Sequence, residues 1–292
     1  MADRPGCQTE PQARRLFVGL PGDTGPGPET VAPQAETDTL SVPPDLRPAI
    51  RQALVWREAV APHRRIVEHV LPDGAVRLWF DLSGAAAEPL VLGPRLEAQT
   101  VIVQGCVAGL SLALTPAAAR AIVGAPLRDL RAQAVGFTDL WGLEARDLGD
   151  RLTGAADLGQ LAAALWQGLR QRLQRAGGLS DEGRRTARVA AALARGEGPD
   201  KIGLGERRIQ QLFVEHLGLS PREHRRLWRW HSLLRRLRMV DRPDWAALAV
   251  AQGWYDQAHM LRDFRAFAGM TPTAYRALAV SGPSKTAGRE SG

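Results

Sequence analysis

Residues 244–278 read DWAALAVAQGWYDQAHMLRDFRAFAGMTPTAYRAL, and the rest of the chain is understood from this stretch outward. Trp245, Leu248, Ala249 and Gln252 recur at helical spacing, and Asp244 stands just ahead with a side-chain oxygen able to cap free N–H groups. Gly253 closes that helix. Asp256 opens the next, in which Met260, Leu261, Phe264, Phe267 and Ala268 form one buried stripe. Gly269 stops it, and Thr271-Pro272 starts a third helix with Tyr275 on its inner side. Helix, glycine turn and helix make a helix-turn-helix. The outer face of its second helix carries Gln257, Ala258, His259, Arg262 and Arg265. Amide, imidazole and guanidinium donors beside a small apolar group suit base edges and phosphates in a major groove.

The pattern Ala249, Gly253-Trp254-Tyr255-Asp256, Met260-Leu261-Arg262, Phe264-Arg265, Gly269-Met270-Thr271-Pro272 and Tyr275-Arg276 resembles the C-terminal signature of AraC/XylS-type transcriptional regulators. The resemblance implies two helix-turn-helix units, double-stranded DNA as partner, and recruitment or obstruction of RNA polymerase.

The first unit should precede residue 220. In Gly205–Gly218, Ile209, Leu212, Phe213 and Leu217 form a core stripe, leaving Arg207, Arg208, Gln210 and Gln211 outward. Arg184–Arg195 supplies a supporting helix. Only GEGPDKIGL stands between it and Gly205, where the family has a further two-turn helix, so this unit is expected to be less firmly held and to add mainly non-specific affinity. Ser220-Pro221 opens a connecting helix to about Met239, with Leu227, Trp230, Leu234 and Leu237 inward and Arg222, Arg225, Arg226 and Arg229 offered to phosphate. Eighteen or so helical residues span ~27 Å, enough to set two reading helices about one DNA turn apart.

Charge follows the same division. Residues 181–292 carry 20 Lys and Arg against 12 Asp and Glu, whereas residues 1–180 carry 18 against 19. The basic excess thus lies with the helix-turn-helix, as phosphate binding requires. Cys7 and Cys106 are the only cysteines, so neither a disulfide framework nor a thiolate metal site is expected, and a cytoplasmic location follows. His224 and His231 lie seven apart without a third ligand nearby and read as solvated or phosphate-facing; no metal or cofactor is expected.

Residues 1–40 read as a disordered leader rather than a signal peptide, and 281–292 as a flexible tail. From Ser41 to about residue 176 strands alternate with turns. Arg64–Leu71 and Ala75–Leu82 read as two strands about the turn Pro72-Asp73-Gly74, and Leu90–Leu92 and Val101–Leu114 as further strands. The uncharged run Ala98–Ala119 is broken by Gln104, Gly105, Gly109 and Pro116 and alternates like a strand, which argues against a membrane span. Pro116–Val123 and Asp157–Gln174 turn helical, the latter with Leu158, Leu161, Leu165, Leu169 and Leu173 on one side. LPDG at 71–74, GPR at 93–95, TPAAARAIVGAP at 115–126 and TDLWG at 138–142 resemble a β-rich domain found ahead of the helix-turn-helix in some AraC-type proteins. By that resemblance, 41–176 is a sensor or dimerisation domain, with a small-molecule effector and a homodimer as the implied partners. Trp56, His69, Trp79, Phe80 and Trp141 either line a pocket or pack the core, the second being the commoner role.

The expected fold is therefore an α+β N-terminal domain followed by an all-α DNA-binding domain, about 181–280, with two helix-turn-helix units. The expected function is sequence-specific transcriptional regulation rather than catalysis, since no nucleophile elbow, zinc-protease motif or phosphate loop occurs. Two alternatives stay open: a sequence-indifferent DNA-coating protein, and an enzyme with a DNA-binding tail.

Overall fold

The computed structural model describes residues 13–23, 26–30, 35–83 and 88–280. Among these the strands are β1 (Ala13–Phe17), β2 (Ala35–Thr39), β3 (Ile50–Ala59), β4 (Ile66–Val70), β5 (Arg77–Asp81), β6 (Leu90–Leu92), β7 (Gln99–Val103), β8 (Cys106–Leu114) and β9 (Ala134–Gly136). Six of them form an antiparallel sheet in the order β2-β3-β8-β5-β6-β9, and β1-β4-β7 form a second. Period-two patterning explains the larger sheet. Leu78 and Phe80 of β5 are buried while Arg77, Trp79 and Asp81 are half-exposed, and Leu110 and Leu112 of β8 lie opposite Phe80 and Leu78. That apolar face is covered by α1 (Ala119–Val123), α2 (Phe137–Trp141), α3 (Leu143–Thr153) and α4 (Leu158–Arg175), whose Ile122, Phe137, Leu148, Leu165 and Leu169 complete one core. In α4 the stripe begins one turn later than expected: Leu161, Leu165 and Leu169 are buried, but Leu158, at the first helical position beside the Asp157 cap, is exposed.

The aromatic residues of this domain mostly pack. Trp141 donates its indole N–H to the Ile122 carbonyl at 2.8 Å and meets Phe137 edge-on, while Phe80 and Phe137 stack at a tilt. Trp56 lies against the Cα of Gly109, where any Cβ would collide with its ring.

Residues 64–82 do not form a hairpin. β4 belongs to the small sheet and β5 to the large one, and Pro72-Asp73-Gly74 is the elbow between them. The Asp73 carboxylate explains this: it accepts from the Ala75 amide at 3.0 Å and from Arg77 at 2.8 Å, and it also pairs with Arg51. Both guanidiniums hold its pKa far below the ordinary carboxylate range against the opposing effect of burial. These bonds fix the loop in an open course rather than a tight turn.

The remaining helices are α5 (Asp181–Ala194), α6 (Pro199–Ile202), α7 (Glu206–His216), α8 (Pro221–Leu237), α9 (Trp245–Ala251), α10 (Gln257–Ala268) and α11 (Pro272–Val280). Their core joins Ile209, Phe213, Trp230, Leu234, Met260, Phe264 and Tyr275. It also includes Leu16, Val18 and Leu20 from the N-terminal segment, in which no structure was expected. The segment is held at both ends. Arg15 on β1 makes a paired bond to Glu58 at 2.7 and 2.8 Å, and further on Asp23 and the buried Glu29 both bind Arg238 at the end of α8. Glu29 also accepts from the Tyr275 hydroxyl at 3.0 Å. Three buried apolar residues and a few paired charges thus place a stretch whose composition reads as polar. Residues 1–12, with Cys7, and 281–292, expected as a tail, lie outside the described residues. No helix among the described residues is long and apolar enough to cross a membrane.

Candidate nucleic-acid interface

The helices of the second unit are built by local sequence. Asp244 accepts from the amides of Ala246 and Ala247 and starts α9; Asp256 accepts from the His259 amide at 2.7 Å and starts α10. Between them Gly253 turns with φ of +82°, a conformation that strains any residue bearing a Cβ. α10 ends at Gly269 with φ of +68°, and Thr271 caps α11 through the Ala274 amide. One face of α10 buries Met260, Phe264 and Phe267.

Gln257, Ala258, Arg262 and Arg265 are exposed on the other face, and His259 is half-exposed with its Nε2 3.9 Å from an Asp263 oxygen. On α7, Arg207, Gln210 and Gln211 are exposed, whereas Arg208 is half-buried and paired with Glu182 of α5. Seven of the nine expected contact residues thus stand open to solvent; Arg208 and His259 each have an intramolecular partner.

Sequence reasoning missed what holds α10 in place. Asp263 is 4% exposed and falls within the apolar stripe. It collects Arg226 at 2.6 Å and Arg229 at 3.2 Å from α8, and the Trp254 indole at 2.9 Å from the turn. Burial alone would raise its pKa, but the bonds from Arg226 and Trp254 outweigh it and keep the carboxylate charged. Arg229 also lies over the Trp254 ring and donates to the Gly253 carbonyl. Arg226 and Arg229, expected to face phosphate, therefore act mainly as internal struts, while Arg222 and Arg225 remain exposed. The signal was present: a lone carboxylate three residues after Met260 and one before Phe264 cannot be buried without cationic partners.

The first unit stands on α5, capped by Ser180, and α7 starts at Gly205 with no side-chain cap. The connection contains α6, a single turn, where two turns would be needed to match the family pattern. α8 begins with a complete capping box between Ser220 and Glu223 and is 17 residues long, about 26 Å. Its His224 and His231 are buried, not solvated: His231 faces the Pro72 carbonyl and His224 accepts from Trp228. The connecting helix thus packs on the elbow of the β-rich domain, and Arg131 to Glu223 and Arg120 to Glu215 add ion pairs across the same junction.

Residues 200–278 match the family described as a helix-turn-helix domain, and residues 39–136 match a domain of unknown function (DUF6597). No curated protein matches the sequence. Among solved structures the chain is similar to ToxT from Vibrio cholerae in its P21 form, at 10% identity and a TM-score of 0.38 over 84% of this chain and 98% of that one. It is also similar to ToxT from Vibrio cholerae strain SCE256 with an unsaturated fatty acid, at 9% identity and a TM-score of 0.35 over 87% and 99%. At such scores the likeness says nothing of ligands or of residue roles. The capped helices of the second unit, the basic helical half and the family match together identify the chain as a DNA-binding transcriptional regulator with a C-terminal helix-turn-helix domain of the AraC type behind a β-rich N-terminal domain.

Proposed function

We propose that α10 enters the major groove of a specific double-stranded site, with Gln257, Ala258, His259 and Arg262 meeting base edges and Arg265 a phosphate. α7 enters the next groove with Arg207, Arg208, Gln210 and Gln211. The observation that carries this reading is a mixed donor face, open to solvent, on a helix whose opposite side is pinned through Asp263. Base readout requires side chains fixed by their support, and that helix has the support. The mechanism is equilibrium binding in the cytoplasm, without chemistry; contact with RNA polymerase and a homodimer belong to the proposal by family resemblance alone. Selection of bound sequences from a random DNA pool tests it. An enriched motif is expected, whereas tight binding with no enrichment would leave a sequence-indifferent coating protein.

The same proposal includes a small effector, in a cleft of about 530 Å³ between the domains. Leu114 and Leu127 wall it on one side, Ala187 and Ala190 of α5 and Leu227 and His224 of α8 on the other. The Trp228 indole can only donate, and it does so to Nε2 of His224 at 2.8 Å. Burial lowers the His224 pKa to about 4, so the ring is neutral and its proton sits on Nδ1, which is buried without a partner. A donor left in that state costs ~1–3 kcal/mol. An apolar molecule carrying one acceptor oxygen would fill the cleft and satisfy it. Because the walls come from both domains, such a ligand would bias their arrangement and hence DNA binding.

A further inference from the structure

Glu182 lies in the first turn of α5, and Glu215 and His216 in the last turn of α7. One carboxylate oxygen from each glutamate and one ring nitrogen of His216 lie within 4.8 Å of one another. His216 is 3% exposed, and its Nε2 is buried without a hydrogen-bond partner, 3.8 Å from an oxygen of Glu182. That distance is too long for a hydrogen bond and close to the separation of two ligands on a shared tetrahedral ion with bonds of ~2.0–2.2 Å.

The surrounding groups orient the carboxylates and leave oxygens to spare. Arg208 takes one oxygen of Glu182 while the other faces His216, and Arg120 takes Oε2 of Glu215 at 2.7 Å. Each carboxylate thus keeps one oxygen for a further cation. The cluster also sits at the C-terminal end of α7, where the helix dipole favours positive charge.

We propose that Glu182, Glu215 and His216 form a Zn²⁺ site that ties the end of the first reading helix to the helix beneath it. One imidazole and two carboxylates, with water in the fourth position, suit a borderline cation better than Ca²⁺ or Mg²⁺, which take all-oxygen shells. The ion supplies what the single-turn α6 does not: a fixed strut between α5 and α7. Arg120 comes from the β-rich domain, so the same site senses how that domain sits against α7. The ligands are spread over 34 positions of sequence, which hides them from motif reading.

The test uses the full chain after treatment with a chelator, titrated with ZnCl₂ by calorimetry and with Co²⁺ by visible absorption. One ion per chain is expected, with the d–d bands of a tetrahedral Co²⁺ centre. Glu182→Gln and Glu215→Gln, both partly exposed, should each weaken binding at least ~10-fold. His216→Gln should do the same, His63→Gln on the surface should change nothing, and Arg120→Gln should tighten binding severalfold by removing a competing cation. No saturable uptake at about 100 µM Zn²⁺, or glutamine variants that bind as the parent does, would overturn the site.

Discussion

His231 Nε2 lies 3.0 Å from the carbonyl of Pro72 across 159 residues of sequence, inside a fully buried junction between the connecting helix and the β-rich domain. The carbonyl can only accept, so the ring donates from Nε2 while neutral. Burial, the largest cause, lowers His231 to about 4, and His224 on the same helix behaves alike. In the unfolded chain both titrate near 6.5, so between about pH 4 and 6.5 the unfolded state binds more protons. Stability is therefore complete above that range and lost as pH falls through it, by roughly 3 kcal/mol for each ring. Thermal unfolding measured from pH 7 to 4 should show this loss, and His231→Gln, which keeps a donor without a titration, should remove about half of the slope. An unchanged slope would place the acid sensitivity elsewhere.

Asp263→Asn tests the strut under α10. The substitution leaves Arg226 and Arg229 without a counter-charge, and because both are partly solvated the cost should be about 1–3 kcal/mol rather than that of a sealed ion pair. Denaturant unfolding gives the stability. Binding to a selected site should fall more than binding to scrambled DNA; equal losses would mean that α10 does not need the strut in order to read.

Arg262 and Arg222 are both exposed, on α10 and α8 respectively. Arg262→Ala should cost about 1–3 kcal/mol on a selected site and less on random DNA. Arg222→Ala should weaken both equally and lower the salt slope by about 1. Interchanged results would reverse the assignment of groove and backbone contacts.

Tyr275→Phe removes the bond to Glu29 and leaves a buried carboxylate with Arg238. A bond to a charged acceptor contributes about 1.5–3 kcal/mol, and that loss should be seen on unfolding. A fragment beginning at Asp181 should bind an apolar fluorophore, because Leu16, Val18 and Leu20 no longer cover its core, and a peptide of residues 13–30 added in trans should quench the signal. A dark, stable fragment would show that the N-terminal segment is dispensable.

Ala187→Trp, at a half-buried position on the wall of α5, places an indole in the cleft between the domains. Any apolar compound found to alter DNA binding should lose its effect in this variant while DNA binding without the compound stays near that of the parent. Retained response would move the effector to another cavity.

Much of the helical half was legible because caps, glycine turns and apolar stripes all obey short-range rules: Asp244, Asp256, Gly269 and Ser220 act where their spacing puts them. The β-rich half yielded its strands but not their partners. Arg64–Leu82 looks like a hairpin locally, yet Asp73 recruits Arg51, which no local pattern links to it. The errors share one cause. Arg226, His231 and Glu29 carry polar groups that sequence assigns to water, and each is drawn inward by a partner at least 37 positions away.

The bond between Glu29 and Tyr275 spans 246 residues. At ~5–20 residues per second, a ribosome needs roughly 12 to 50 s to deliver the second partner after the first. Throughout that time Leu16, Val18 and Leu20 have no core to enter, and a segment made early is among the last to find its place. Newly made protein should therefore depend on whatever shields nascent apolar chain, and competence to bind DNA should follow the emergence of Tyr275 rather than that of either half alone.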